Sequence, residues 1–386
     1  MEWAGDKTIE DEMFMLAALD LAKRGAGWVN PNPMVGCVIV RDGEIIGRGW
    51  HTKFGAPHAE REALADAQSR GENVKGATAY VTLEPCCHQG KQPPCTEALI
   101  EAGISRVVVG SGDPNPQVAG KGLTQLRDAG ITVDEGVLSK ECAALTKEWR
   151  HYITTGLPYV IMKYAMTADG KIETATENSV WLTGPEAQRR VHRDRHRFAA
   201  VLVGAQTVEV DDPQLTCRYE GEVGPLGVKQ PLRIVLTAKA NIGSDCKLIQ
   251  SASAEAPVLV ITSLGADAAQ VASLEKPGVE VVRLPIGEDG LISWDDILAE
   301  LGKRGVDTLI VEGGPSVHAS LLSSGRVDAV QTYVAGMIFG GECARGPIGG
   351  MPVASKADAV RLVSPEVEEL GNDVLITWEV ESCSRG

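Results

Sequence analysis

Two short stretches constrain this chain more than anything else in it. They are His58-Ala59-Glu60 and the run from Pro85 to Cys95, PCCHQGKQPPC. One imidazole and two thiolates are the donor set of an open zinc site. Structural zinc is normally enclosed by four protein ligands, whereas catalytic zinc takes three and leaves a position for water, whose pKa it lowers. His58, Cys86 and Cys95 are the candidate ligands. Glu60 is the candidate carboxylate that takes the water proton and delivers it onward without ligating the metal. The alternative is a closed structural site, with Cys87 or His88 as the fourth ligand. Residues two apart point away from each other on a continuing helix, so His58 and Glu60 are expected to straddle a helix N-terminus.

A His, a Glu two residues on, then Pro-Cys and a further Cys is the pattern of zinc deaminases that act on nucleobases. The usual ending is Pro-Cys-x-x-Cys, but here eight residues lie between Cys86 and Cys95, six more than usual. The insertion carries His88, Lys91 and Pro93-Pro94. In that form the segment resembles the deaminase half of the bifunctional riboflavin-biosynthesis deaminase/reductases. The run Pro31-Asn32-Pro33-Met34-Val35-Gly36 resembles the same family's substrate loop. The resemblance implies that Asn32, His51, His88, Lys91, Asp113 and Asn115 surround a pyrimidine substrate. Taken alone, an Asn between prolines is a turn former, and His51 serves equally well as a hydrogen-bonded structural residue.

The length, 386 residues, suits two domains, and a hydrophobic content of 44% is ample for two cores. No run of about 18 apolar residues exists to span a membrane. Residues 1–12 are acidic and lack the basic and apolar regions of a signal peptide. The net charge of −15 argues against a nucleic-acid surface. Residues 1–155 hold 16 basic and 21 acidic side chains, so the deaminase-like part has no basic excess either. Nine scattered cysteines suit reduced, cytoplasmic thiols and a metal site better than a disulfide framework.

In chain order, residues 10–24 have the spacing of an amphipathic helix. Residues 37–40 and 44–49 make a hairpin about Asp42-Gly43. A helix is expected over 58–70, a strand over 77–83, a helix over 96–102 headed by Cys95, and a strand over 105–110. A helix over 123–129, a strand over 131–137 and a helix over 140–152 follow. Alternating strands and helices after a hairpin imply a mixed sheet covered on both faces.

The chain changes character near Gly156, which divides it into 1–155 and 156–386. Strands are expected over 159–163, 200–204, 231–236, 257–261, 307–311, 327–335 and 374–381. Helices are expected over 186–196 and 317–322, and a turn over 167–171. Little can be assigned between Lys239 and Ala256. This half resembles the reductase half of the same family, a dihydrofolate-reductase-like domain. That resemblance implies NADPH along Ala165, Trp181, Thr207, Asp211, Gly314, Pro315 and Ser316. It implies a sugar phosphate held by Ser179, Arg195, Leu215 and Arg218, with Glu312 near the substrate and Lys163 near the reacting carbon. Independently, planar guanidiniums suit phosphate, and a Gly turn from strand to helix offers N–H groups to one. Arg189, Arg190 and Arg193 are read instead as a solvated helix face. Thr237 stands where the family often has an acidic residue, which leaves one cofactor contact open.

The expected architecture is therefore α/β: two three-layer α/β/α domains, cytidine-deaminase-like and then dihydrofolate-reductase-like. The implied ligands are Zn2+, NADPH and a small pyrimidine ribosyl phosphate, and the implied assembly is a homodimer. Two rival classes stand beside this one. The first is an RNA-editing deaminase, opposed by the acidic charge and the long Cys spacing. The second is a protein with structural zinc whose second half only binds ligand.

Overall fold

The structure, a computed structural model, describes residues 4–89, 93–115, 118–176, 181–221, 223–342 and 344–381. It divides into two compact units, Met1–Gly156 with Glu222–Gly227, and Leu157–Gly221 with Val228–Gly386.

In the first unit the strands are β1 (Gly36–Arg41), β2 (Glu44–Trp50), β3 (Thr78–Leu83), β4 (Arg106–Ser111) and β5 (Thr132–Glu135). They form one sheet in the order β2-β1-β3-β4-β5. The β1 strand is antiparallel to both neighbours, and β3, β4 and β5 run parallel. Asp42 and Gly43 both have positive φ, as the tight hairpin turn requires. Side chains of β1 alternate between two cores. Cys37 and Ile39 pack with α2 (Ala59–Ser69), α3 (Cys95–Glu101) and α4 (Lys121–Asp128). Val38 and Val40 pack with α1 (Ala4–Lys23) and α5 (Ser139–Leu145). Helix α2 lies directly on β2. A Cβ on Gly47 would come within 2.5 Å of the Ala63 carbonyl, and one on Gly49 would overlap the Ala59 carbonyl. Backbone thus packs on backbone where the helix carrying Glu60 meets the sheet.

The single helix expected over 140–152 is two. Chain direction breaks at Thr146 (φ −111°, ψ 15°), and α6 (Lys147–Thr155) follows. The Thr146 hydroxyl donates to the Cys142 carbonyl at 3.1 Å and accepts from Arg150 Nε at 3.1 Å. A threonine side chain competing for backbone partners in this way weakens a helix from within.

The second unit contains one nine-stranded sheet, ordered β10-β9-β8-β7-β11-β6-β12-β14-β13. Its strands are β6 (Tyr159–Thr167), β7 (Ala200–Gly204), β8 (Leu232–Leu236), β9 (Val258–Ser263), β10 (Val279–Leu284), β11 (Thr308–Val311), β12 (Ala329–Ala335), β13 (Leu362–Leu370) and β14 (Asp373–Val380). All pairings are parallel except those of β14 with β12 and β13. The β7 strand and residues 258–261 of β9 are continuous buried apolar runs, as parallel strands covered on both faces must be. Val201 and Val203 join one core; Ala200 and Leu202 join the other. Helices α7 (Pro185–Arg197), α8 (Ala205–Asp211), α9 (Lys247–Gln250), α10 (Ala268–Leu274), α11 (Trp294–Lys303) and α12 (Pro315–Ser323) complete the layers. Both units therefore have the expected three-layer α/β/α form.

Arg190 corrects the expectation of a solvated face on α7. Its side chain is only 13% exposed and pairs with buried Asp194 and with Glu368 of β13. Arg189 and Arg193 are half exposed or more, as expected of such a face. Arg190 packs because Glu368, far away in sequence, completes its ion pair.

Candidate functional site

The first site forms where α2, the loop after β3 and α3 converge. His58 is the N-cap of α2 in extended geometry (φ −76°, ψ 165°), and Glu60 is the second helical residue. The pair therefore straddles the helix start. Cys95 heads α3, and Cys86 lies on the loop before it. His58 Nδ1 is 3.4 Å from each sulfur, and the three ligand atoms lie within 4.8 Å of one another. A tetrahedron with the usual zinc bond lengths has an N···S edge of about 3.5 Å, so this donor set fits zinc. Hydrogen bonds from Cys95 and His58 bring the Cys86 thiol down to about 4. Among the described residues, no fourth side chain joins this cluster: Cys87 and His88 lie outside it.

Glu60 is 3% exposed, and its Oε2 has no hydrogen-bond partner. Burial and the Cys86 sulfur push its carboxyl upward. The site opens on a cavity of about 310 Å³ whose lining includes Glu60, Asn32, His51, His88, Asp113 and Asn115. Asn32 Nδ2 is 3.1 Å from His51 Nε2, and His51 Nδ1 is 3.0 Å from the Pro57 carbonyl. Burial lowers the His51 pKa to about 4, so the ring is neutral near pH 7. It donates from Nδ1 and accepts the Asn32 amide at Nε2, which turns the Asn32 carbonyl away from His51. Lys91 lies outside the described residues. Phe54, Glu84 and Trp149 also line the cavity; nothing in the sequence pattern singled them out.

Asp113 Oδ1 accepts the Asn115 amide at 2.7 Å. Burial, with Glu84 nearby, pushes its pKa from 3.8 to about 6 against that hydrogen bond. A raised carboxyl stabilises the fold fully below its unfolded pKa and loses that contribution as pH rises through the folded value. Asp113→Asn should therefore stabilise the first unit at pH 7 by up to about 2 kcal/mol. The gain should disappear below about pH 3.8. Thermal unfolding of both proteins across this range checks the sign.

The second site lies at the carboxyl ends of the parallel strands, where open α/β sheets bind ligands. It is a cavity of about 710 Å³ lined by Lys163, Arg195, Leu215, Arg218 and Glu312 together with Ala165, Trp181, Thr207, Asp211, Gly314 and Pro315. Both expected ligand sets thus share one crevice. Ser316 is exposed on α12 and does not line it. Ser179 lies outside the described residues. Thr207 and Asp211 occupy α8, a helix with no expectation from sequence. Gly314 (φ 46°) caps α12, and a Cβ there would lie 3.3 Å from the Thr207 hydroxyl. Thr237 is buried, with its hydroxyl 2.8 Å from Asn241 Oδ1.

At the floor of the crevice Arg195 grips Glu312 with two parallel bonds, Nε–Oε1 at 3.0 Å and Nη2–Oε2 at 2.7 Å. Its Nη1 donates to the Thr216 carbonyl at 3.3 Å. The Lys163 Nζ lies 3.9 Å from Glu312 and 5.3 Å from the centre of the Tyr333 ring. Burial lowers the Lys163 pKa. Burial also opposes ionisation of Glu312, but Arg195 and Lys163 overcome it and hold the carboxyl at about 2. Arg195, expected on a phosphate, thus spends its fork on a carboxylate. Arg218 is exposed, with Nη1 bonded only 2.9 Å from the Thr216 hydroxyl. Tyr333 had no signal in the sequence, since β12 reads as an ordinary core strand.

The first unit thus has the donor set of a hydrolytic zinc deaminase, and the second is an open α/β domain with a ligand-sized crevice at the ends of its parallel strands. Comparison with known proteins makes this specific: the chain belongs to the RibD family of riboflavin-biosynthesis proteins. The RibD C-terminal domain matches residues 158–376, and the cytidine and deoxycytidylate deaminase zinc-binding region matches residues 8–111. The riboflavin biosynthesis protein RibD of Actinobacillus pleuropneumoniae is 45% identical over 97% of both chains. That of Escherichia coli is 38% identical over 95% of this chain and 99% of its own. A diaminohydroxyphosphoribosylaminopyrimidine deaminase/5-amino-6-(5-phosphoribosylamino)uracil reductase from Thermotoga maritima superposes with a TM-score of 0.83. It is 38% identical, over 97% of this chain and 99% of that one. RibD from Acinetobacter baumannii gives 0.85 at 34% identity, over 97% of this chain and 100% of that one. The chain is accordingly a bifunctional deaminase and reductase of riboflavin biosynthesis, with zinc and NADPH as the cofactors of its two halves. No described helix is long and apolar enough to cross a membrane.

Proposed function

We propose that residues 1–155 deaminate 2,5-diamino-6-ribosylamino-4(3H)-pyrimidinone 5′-phosphate at its 2-amino group, and that residues 156–386 then reduce the ribosyl chain. The product is 5-amino-6-ribitylaminouracil 5′-phosphate. The observation that carries the deaminase assignment is the unpartnered Oε2 of Glu60, buried beside a three-donor zinc cluster.

His58, Cys86 and Cys95 would hold the zinc, which supplies an activated water when bound. Glu60 takes the two water protons in turn at its free oxygen and passes one to the ring nitrogen and the other to the departing ammonia. Asn32, held by His51, presents an amide edge to the pyrimidine, and Asp113 and Asn115 close the pocket. In the second unit NADPH supplies the hydride when bound. The amides at the start of α12 and the Thr207/Asp211 face of α8 suit the dinucleotide. Lys163 and Glu312 face the sugar, and Arg195 holds Glu312 in place. Arg218, an exposed cation lining the crevice, anchors the sugar phosphate. A homodimer fits β13, an edge strand that leaves Val363 and Val367 exposed. A cytoplasmic location fits the described cysteines, all of them free thiols.

Assays of both partial reactions on the purified chain test this reading; failure of either reaction removes that half of it. Arg218→Ala should raise the KM for the sugar phosphate about ten- to a hundredfold, the worth of a charge-assisted contact. Its kcat and its NADPH affinity should barely change, because uniform binding shows in KM alone. Steady-state kinetics with each ligand varied separately decide the point. Weakened NADPH binding would mean that the two ligands sit the other way round.

A further inference from the structure

The deaminase cavity contains a second buried carboxylate with no part in proton transfer. Glu84 is 4% exposed and stands between the end of β3 and Pro85-Cys86. Its Oε2 accepts the backbone N–H of Gly120 at 3.0 Å and of Asp113 at 3.3 Å, and its Oε1 accepts that of Gly122 at 3.1 Å. All three donors belong to the segment that carries Asp113 and Asn115. The carboxylate is thus joined through one proline to a zinc-ligand candidate and gathers the opposite wall of the cavity by its main chain.

Two glycines make this possible. Gly120 has φ +79°, which few side chains tolerate, and it presents its amide to Oε2. At Gly122 a Cβ would overlap the Pro85 carbonyl and lie 3.2 Å from Glu84 Oε1. The segment can therefore close on Glu84 only with bare backbone at this point. A buried acceptor-only group with three N–H donors is a strong and directional anchor, because a carboxylate offers four lone-pair sites and no proton of its own.

We infer that Glu84 is a positioning residue of the deaminase, setting where Asp113 and Asn115 stand relative to the metal loop and so fixing substrate binding. This rests on the proposed function of the first unit, which the unmodified chain's deamination of its pyrimidine ribosyl phosphate tests separately. Glu84→Gln keeps the shape but sets an NH2 against a backbone N–H. Deaminase KM should rise about ten- to a hundredfold, the cost of a lost hydrogen bond to a charged group, with kcat changed by less than about threefold. Zinc content and reductase turnover in the same chain should be unchanged. Gly122→Ala displaces the same segment from its other side and should reproduce the KM effect. In the double variant the two effects should fall short of multiplying, because both break one contact. The inference is overturned if both single variants keep the original KM, if kcat falls while KM holds, or if zinc is lost in either. If Glu84→Gln fails to fold, Gly122→Ala alone decides by the same criteria.

Discussion

Glu60→Gln should retain its full zinc content and lose about 10²- to 10⁴-fold in deamination rate, the usual contribution of a positioned proton carrier. The substitution leaves the three donors untouched and removes only the group that accepts and releases the proton. Cys95→Ser should lose zinc and deamination together, since it removes a thiolate from a set in which each donor is needed. Cys87→Ser should keep its metal, because Cys87 lies outside the cluster. Metal content measured beside ammonia release separates these outcomes. Retained turnover in Glu60→Gln would end its assignment as proton carrier, and metal loss in Cys87→Ser would point to a closed site.

Glu312→Gln should destabilise the second unit by about 3–5 kcal/mol, the typical cost of leaving buried charge without its partner. Two cations, Arg195 and Lys163, face the vacated charge. Reductase turnover should fall while deamination persists. The pH dependence follows from the same pair. The Glu312 carboxyl sits at about 2 against an ordinary 4.5, so its contribution is complete above the ordinary value and is lost as pH falls toward 2. The second unit should therefore weaken on acidification below about pH 4.5, and Glu312→Gln should flatten that slope. Replacing two of the three charges, Arg195→Met with Glu312→Leu, should recover part of the stability and none of the turnover, because apolar groups substitute for the buried ion pair in packing while Lys163 is left without its carboxylate. Recovery of turnover in that double variant would show the pair to be merely structural.

What could be read from sequence was whatever depends on near neighbours. His58 and Glu60 could be placed about a helix start because i and i+2 diverge on a helix, and the Ala200–Gly204 strand was visible as an unbroken apolar run. Contacts between distant segments were not visible. Nothing near Arg195 in the chain announces Glu312, 117 positions on, so a phosphate was the natural partner to assign. Arg190 looked solvated for the same reason, since Glu368 lies 178 positions away. The break at Thr146 has no glycine or proline to mark it. Strand β13, exposed along most of its length and containing Pro365, has neither the alternation nor the apolar run by which strands are found.

The contact of α2 with Gly47 and Gly49 bears on how this enzyme can be altered. Replacing glycine in a strand ordinarily strengthens a protein by restricting its unfolded chain, and a programme of stabilisation would select these two positions early. Here the missing side chains act as a spacer of zero thickness. Helix α2 holds Glu60, and its N-cap is His58, so any methyl group inserted beneath it lifts both away from two sulfurs mounted on other elements. Catalysis tolerates only displacements well below an ångström. Substitution at this hairpin should therefore lower the melting temperature and detune the first activity together, while the second activity runs on.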